Sequence, residues 1–289
     1  MEVSVIVPVY EGEKTLEKLF EGIQANLKSF GSFEVLFVFD CGSDKSWEIL
    51  KELKRKYPRE IRIFKLKKNY GQHNATLLGI SKSAGELIVT MDEDLQHDPK
   101  YLRSLISKQK EGNFDVVYGR FLITKHSILR KIVSSILRKA LKLLIPAMGY
   151  YSSYRVLKRE TAQRIINLRN SYTFIDASLI NVTSAFGFLN IEHQENTDRK
   201  STYNVLKLLS HAFRLVLAYS KITRWILIIS IAWLLFGGIS IVSELTSKGI
   251  QVWLITLGIL LFFTGLYGEF IHRREVRNNS IPVIAVEND

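Results

Sequence analysis

An α/β fold built on a mostly parallel sheet, followed by amphipathic helices and a two-helix transmembrane hairpin, is the architecture this 289-residue sequence predicts. Three observations carry that reading. Short, uninterrupted apolar runs alternate with segments of helical periodicity in the N-terminal part. Basic amphipathic stretches come next. Two uncharged apolar stretches of spanning length lie near the C-terminus. With 47% hydrophobic and 24% charged residues the chain is not a disordered one. Its length gives room for one sizeable domain and more. The single cysteine, Cys41, excludes an intrachain disulfide framework and a Cys-cluster metal site, and itself reads as a small buried residue.

The elements follow in order. MEVSVIVPVYEGE lacks a basic n-region and turns polar at once, so it reads as a strand rather than a secretory signal. Within it, residues Val3–Val9 form a continuous apolar run, as expected of a strand covered on both faces. Lys14–Phe30 places Leu16, Leu19, Phe20, Ile23 and Leu27 on one helical face. Phe33–Asp40 is a second buried strand ending in an aspartate, and Ser43 or Asp44 caps a helix that runs to Tyr57. Ile61–Leu66 is a third strand, His73–Ser83 a helix, Leu87–Asp92 a fourth strand ending in an aspartate, and Asp115–Gly119 a fifth. In such sheets ligands bind beyond the carboxyl ends of the strands, which brings Tyr10, Asp40 and Asp92–Asp94 toward one crevice.

The charge is +12, with a pI near 9.6, and it points to a polyanionic partner. Ten Lys and Arg and no Asp or Glu lie between Arg120 and Arg159. Ser127–Ile145 carries Arg130, Lys131, Arg138, Lys139 and Lys142 on one helical face and aliphatic residues on the other; Tyr203–Arg224 repeats the theme with Lys207, Arg214 and Lys221. Helices of this kind lie on anionic bilayer surfaces. They lead into Trp225–Ser243 and Gly249–Gly268, each free of charge and about 28–30 Å long as a helix. Lys221 and Arg224 precede the first stretch, and Arg273, Arg274 and Arg277 follow the second, so the positive-inside rule puts both termini in the cytoplasm. Expected divisions are residues 1–125 as core, 126–224 as a region with membrane-interface helices, 225–270 as the hairpin and 271–289 as a cytoplasmic tail. The basic helices adjoin the membrane and lack interleaved aromatic platforms, so no nucleic-acid partner is expected.

MDEDLQHDP, Met91–Pro99, is the chemical centre. Asp92, Asp94 and Gln96 offer two carboxylates and an amide oxygen on a tight turn, hard ligands suited to Mg²⁺ or Mn²⁺. An incomplete protein shell leaves positions for phosphate oxygens. His73, His97 and His126 are general-base candidates by residue type and read better as surface or capping histidines.

With IVPVY (Ile6–Tyr10), FVFDCGSDKS (Phe37–Ser46), KKNYGQHNATLLGI (Lys67–Ile80), the acidic motif, VVYGR (Val116–Arg120) and LYGEFIHRREVRNNSIPV (Leu266–Val283), the sequence resembles the polyprenyl-phosphate glycosyltransferases of glycosyltransferase family 2 over essentially its whole length. This family includes dolichol-phosphate mannose synthase and the bacterial undecaprenyl-phosphate sugar transferases. The resemblance implies a Rossmann-like GT-A fold whose core binds a nucleotide sugar. It implies an integral inner- or plasma-membrane enzyme that moves a sugar, with inversion, from a nucleotide diphosphate sugar (a UDP-sugar) to a polyprenyl phosphate at the cytoplasmic face. Pro8, Tyr10 and Asp40 are then expected at the base and ribose, and Asp92 and Glu93 beside the nucleotide. Asp94 and Gln96 are expected at the metal and diphosphate, and Arg120, Arg130 and Arg155 at phosphates. Asp92, Asp94 and Arg120 are expected to carry the catalytic roles. The chain departs from the family's Y-N-E at Gly12, from D-D-G-S at Cys41, and from R-x-x-G-x-S-K-Y at Asn196 and Thr202. Two other readings compete: a processive polysaccharide synthase, echoed by Lys221–Trp225, and an inactive membrane-tethered binding protein. A homo-oligomer is compatible with all three.

Overall fold

The computed structural model describes residues 1–121, 151–168, 174–192, 228–235, 253, 255–267 and 270. Strands and helices alternate as β1 (Val3–Val9), α1 (Leu16–Leu27), β2 (Phe33–Phe39), α2 (Ser46–Lys56), β3 (Ile61–Lys65), α3 (Gln72–Lys82) and β4 (Leu87–Thr90). A short 3₁₀ turn at Pro99–Tyr101 leads into α4 (Leu102–Gly112) and β5 (Val116–Phe121). Beyond the undescribed stretch come β6 (Arg155–Lys158), α5 (Arg159–Asn167), α6 (Ile175–Val182) and β7 (Phe186–Ile191).

The seven strands form one sheet in the order β3-β2-β1-β4-β6-β5-β7. Every described pairing is parallel except those of β6, which runs antiparallel between β4 and β5. Alternation along the strands divides the core in two. Val3, Val5, Val7 and Val9 of β1, with Val35, Phe37 and Phe39 of β2, face α1, α2 and α4. Ile6, Leu36 and Val38 face α3, α5 and α6. The helical face expected of α1 is the one that is buried: Leu16, Leu19, Phe20, Ile23 and Leu27.

One expectation changes. The expected core boundary at residue 125 cuts through the sheet, because β6 and β7 come from beyond it. Strand β6 is four residues long with an arginine in its buried run, and β7 carries Gly187 and Asn190, so neither shows the uninterrupted apolar run that marks β1 and β2 in sequence. The expected membrane stretches fall largely outside the described residues. Helix is described at 228–235 and 255–267, and among the described residues no helix is long and apolar enough to cross a membrane. The basic helices expected at 127–145 and 203–224, with Arg130, also lie outside them.

Ladder ends shape the sheet's functional edge. The β1–β4 ladder stops at Ile6 and Thr90, whereas β1–β2 continues to Val9 and Phe39. The Ile6 carbonyl accepts the Met91 N–H, and the Val9 carbonyl accepts the Asp40 N–H, so even-numbered residues of β1 face β4 and odd-numbered ones face β2. Pro8 therefore directs its missing donor toward the side where β4 has already ended, and a proline costs no ladder bond there. The loop leaving β2 crosses the end of β1 so closely that a Cβ on Gly42 would lie 1.4 Å from the Tyr10 carbonyl oxygen. The residue before it, Cys41, has a φ of 58°, the left-handed region that Asp and Asn tolerate better. Gly42→Ala is therefore expected to destabilise the fold by about 3 kcal/mol through this backbone overlap, measured as a lowered denaturant midpoint.

Candidate active site

The strand order reverses direction between β1 and β4: the chain winds from β1 through β2 to β3, then crosses back to place β4 on the other side of β1. Such a switch point opens a crevice at the carboxyl edge of the sheet, where the two loops diverge. Tyr10 stands at the end of β1 with 42% of its surface exposed. Across from it β4 ends at Thr90, two residues short of the expected Asp92, so the acidic motif forms a turn rather than a strand end. Leu95 takes a φ of 62° in that turn, and Asp94 Oδ1 accepts the Gln96 N–H at 3.1 Å.

Asp92 is held from three directions. His97 Nδ1 accepts its backbone N–H at 2.9 Å. Gln72 Nε2, from the first residue of α3, donates to Oδ1 at 2.5 Å. Ser153 Oγ, from the segment entering β6, donates to Oδ2 at 2.8 Å. His97 is buried and stacks between Tyr154 and Phe121, with ring centroids 5.0 and 5.6 Å away. Because Nδ1 accepts a hydrogen bond, the proton of the neutral ring sits on Nε2. The capping role expected of His97 is thus observed, but in the interior rather than at the surface.

Asp40 makes backbone contacts that its sequence position did not announce. It is buried, and its two carboxylate oxygens accept the backbone N–H groups of Tyr70, at 2.7 Å, and Gly71, at 2.8 Å. Burial raises its pKa, and the two N–H donors pull in the opposite direction. The carboxylate expected at the base and ribose thus clamps the turn that starts α3, where Gly71 has a φ of 87°.

Arg155 is corrected. Strand β6 points it into the core, where it is 1% exposed, and its guanidinium pairs with Asp176 of α6. Its Nε donates to Thr90 Oγ1 at 3.1 Å, and Tyr118 donates to the same Asp176 carboxylate at 2.9 Å. Burial opposes the charge on Arg155, but Asp176 and Tyr118 together outweigh it and raise its pKa. A neutralised interior guanidinium is a structural group, not the expected phosphate contact.

Arg120 and Glu93 also lie toward the carboxyl edge of the sheet. Arg120 is exposed near the carboxyl end of β5, which runs parallel to β4. Glu93 lies against the β1 loop: a Cβ on Gly12 would come within 2.9 Å of Glu93 Cγ. Glu93 thus occupies the space that a side chain at position 12 would need. Glu11 accepts from Ser43 Oγ and Glu13 accepts from the Lys45 N–H, so both acids lace the β1 loop to the β2 loop. Sequence reasoning missed Gln72, Ser153 and Asp176. Gln72 lies within Lys67–Ile80, one of the segments that carry the family resemblance, but nothing local marks its partner; Ser153 and Asp176 carry no local signal.

The donor set fits a divalent cation. Among the described residues no group of three or more His, Cys, Asp and Glu is arranged to hold a metal unaided. Two carboxylates and an amide oxygen match Mg²⁺, which takes one or two carboxylates and completes its shell with phosphate oxygens and water.

The sequence pattern described as "Glycosyl transferase family 2" matches residues 4–166, more than half of the chain. The chain belongs to this family. It is accordingly a glycosyltransferase. Similar curated proteins include undecaprenyl-phosphate 4-deoxy-4-formamido-L-arabinose transferases from Photorhabdus laumondii, 29% identical over 94% of this chain and 89% of the relative, and from Klebsiella pneumoniae, 28% identical over 94% and 88%. Among solved structures, Mycobacterium tuberculosis glucosyl-3-phosphoglycerate synthase with Mn²⁺, UDP and glucosyl-3-phosphoglycerate aligns with a TM-score of 0.53 at 17% identity, over 74% of this chain and 77% of that one. Staphylococcus aureus TarS with UDP-GlcNAc aligns with a TM-score of 0.50 at 17% identity, over 75% of this chain and 66% of the TarS chain. At these identities the two structures bear on the fold, which is the GT-A type of this glycosyltransferase.

The interior pair beneath the crevice yields a stability test. Asp176→Ala leaves the Arg155 charge buried without its carboxylate and is expected to cost about 3–5 kcal/mol of folding free energy. Replacing both residues together with apolar ones, Arg155→Met with Asp176→Leu, is expected to recover most of that loss in equilibrium denaturation.

Proposed function

We propose that this glycosyltransferase moves a sugar from a UDP-sugar to a polyprenyl phosphate at the cytoplasmic face of a membrane, with a divalent ion in the site. The observation that carries the reading is the Asp92–Asp94 turn at the switch point of the sheet, with an exposed aromatic ring, Tyr10, across the crevice. Relatives that transfer a sugar to undecaprenyl phosphate, matched over nearly the whole chain, support the acceptor class. Fold neighbours containing UDP and Mn²⁺ support the donor and the ion.

Tyr10 offers a face for the base, and Glu93, lying over Gly12, puts a carboxylate beside the nucleotide. Asp92, Asp94 and Gln96 would hold Mg²⁺ or Mn²⁺. When bound, the ion neutralises charge on the leaving diphosphate. Arg120 supplies a guanidinium for a phosphate of donor or acceptor. A lipid phosphate is already an anionic nucleophile at neutral pH, so the protein has to orient it rather than deprotonate it. This agrees with His97, whose Nδ1 is committed to the Asp92 N–H. Direct displacement inverts the anomeric carbon.

The C-terminal helices support a membrane setting. A Cβ on Gly258 would lie 2.7 Å from Leu234 Cδ2, so the helical segments 228–235 and 255–267 meet at a glycine. Ile228, Ile231, Leu235, Leu260 and Phe263 are exposed on them, an apolar exterior suited to lipid.

Membranes containing the full chain, incubated with radiolabelled UDP-sugars and undecaprenyl phosphate and then extracted for lipid, are expected to yield labelled lipid. Excess chelator should abolish the label, and Asp94→Ala should reduce it by about 100-fold or more. Undiminished turnover in chelator would remove the metal from the reading, and failure to label lipid with any UDP-sugar would remove the donor class.

Topology can be tested separately. In a Cys41→Ser background, Ser247→Cys is expected to react with a membrane-impermeant thiol reagent applied from outside intact cells, and Asn288→Cys is expected not to. The reverse pattern would invert the orientation.

A further inference from the structure

Asp92 is a partly exposed carboxylate, with 25% of its side chain accessible, and water alone could solvate it. The protein nevertheless supplies a donor to each oxygen, from segments some 80 positions apart in sequence: Gln72 to Oδ1 and Ser153 to Oδ2. Both donors are uncharged. Among the described residues no Lys or Arg lies within ion-pair distance of Asp92, and the basic group nearest to it, His97 Nε2, is 3.9 Å away. An arginine or lysine in either place would orient the carboxylate but also neutralise it. An amide and a hydroxyl orient it and leave its negative charge for a cation. Each carboxylate oxygen keeps a further lone pair beyond the one already used.

Gln72 is itself held in place. It is the first residue of α3, directly after the Tyr70–Gly71 turn that both oxygens of Asp40 clamp. Ser153 directly precedes Tyr154 and Arg155, which are buried in the core, and its own carbonyl accepts from Thr90 Oγ1 at 2.5 Å. The Asp92 carboxylate is therefore set by two routes, one from the end of β2 and one from the antiparallel strand β6.

We propose that Gln72 and Ser153 are positioning residues that preset the Asp92 carboxylate for the divalent ion. This rests on the donor and metal reading given above. Orientation of a ligand before the ion arrives lowers the reorganisation needed on binding, so its loss is read as weakened ion affinity.

The test is Mn²⁺ binding to the full-length protein in detergent with UDP and without acceptor, read by the paramagnetic resonance signal of free Mn²⁺. Gln72→Ala and Ser153→Ala are each expected to raise the Mn²⁺ dissociation constant about tenfold, the scale of one hydrogen bond to a charged group. Ser153→Thr, which keeps the hydroxyl, is expected to stay near the wild type. In turnover, kcat should fall while the KM for polyprenyl phosphate holds. Should Gln72→Ala fail to fold, the Ser153→Ala and Ser153→Thr pair decides the matter. Unchanged Mn²⁺ affinity in folded Gln72→Ala and Ser153→Ala, with a wild type that binds, overturns the positioning role alone. A wild type that takes up no Mn²⁺ with UDP overturns the donor and metal reading, and this role with it.

Discussion

The early end of the β1–β4 ladder is the constraint on which the rest of this structure depends. Parallel pairing on the other side of β1 continues to Val9, whereas pairing with β4 stops at Ile6. The last turn of β1 is therefore covered on one side and open on the other. A proline fits there without cost, the β2 loop closes against the Tyr10 carbonyl through Gly42, and the chain leaving β4 turns into the vacated space. Had β4 continued in register as a strand through Asp92, alternation would have sent successive acidic side chains to opposite faces of the sheet. Ending at Thr90 lets the acidic residues form a turn at the edge instead.

That turn is stabilised mainly from outside itself. His97 returns to cap the Asp92 N–H, and its ring is packed between Tyr154 and Phe121, which belong to different parts of the chain. Beneath it, Thr90 connects the Asp92 region to the buried Arg155–Asp176 pair through Arg155 Nε and the Ser153 carbonyl. A buried pair of this kind contributes little net stability when intact but is costly to break, so it specifies how β6 and α6 sit rather than how strongly they are held. The acidic turn thus rests on a polar network closed by strands β4 and β6 and helix α6.

The two ends of the proposed reaction have different physical needs. Donor recognition requires fixed carboxylates at a crevice, and the tightly packed sheet edge supplies them. Acceptor recognition requires a phosphate carried on a long apolar chain to arrive from a bilayer. Ten basic residues without an acid between Arg120 and Arg159 begin at the exposed end of β5, beside the same edge. Of these, Arg120 is exposed at the carboxyl end of β5, on the same edge as the acidic turn.

Much of this was legible in sequence because it depends on short-range regularities. Uninterrupted apolar runs and period-3.6 patterns located five strands and three helices of the sheet domain, and α1 buries the five apolar residues its spacing predicts. The rule that ligands bind beyond strand ends brought Tyr10 and Asp92–Asp94 to one crevice. Other features were decided only by tertiary structure. Strand β6 enters antiparallel between β4 and β5, and that placement turns Arg155 from an expected phosphate contact into an interior ion pair. Asp40 stands at a strand end as expected, but its oxygens meet two backbone N–H groups some 30 residues away. Gln72, Ser153 and Asp176 matter because of what they touch across the fold. Local spacing determines which face of an element a residue occupies; which distant donor meets a carboxylate on that face depends on how the elements pack, and no local pattern encodes it.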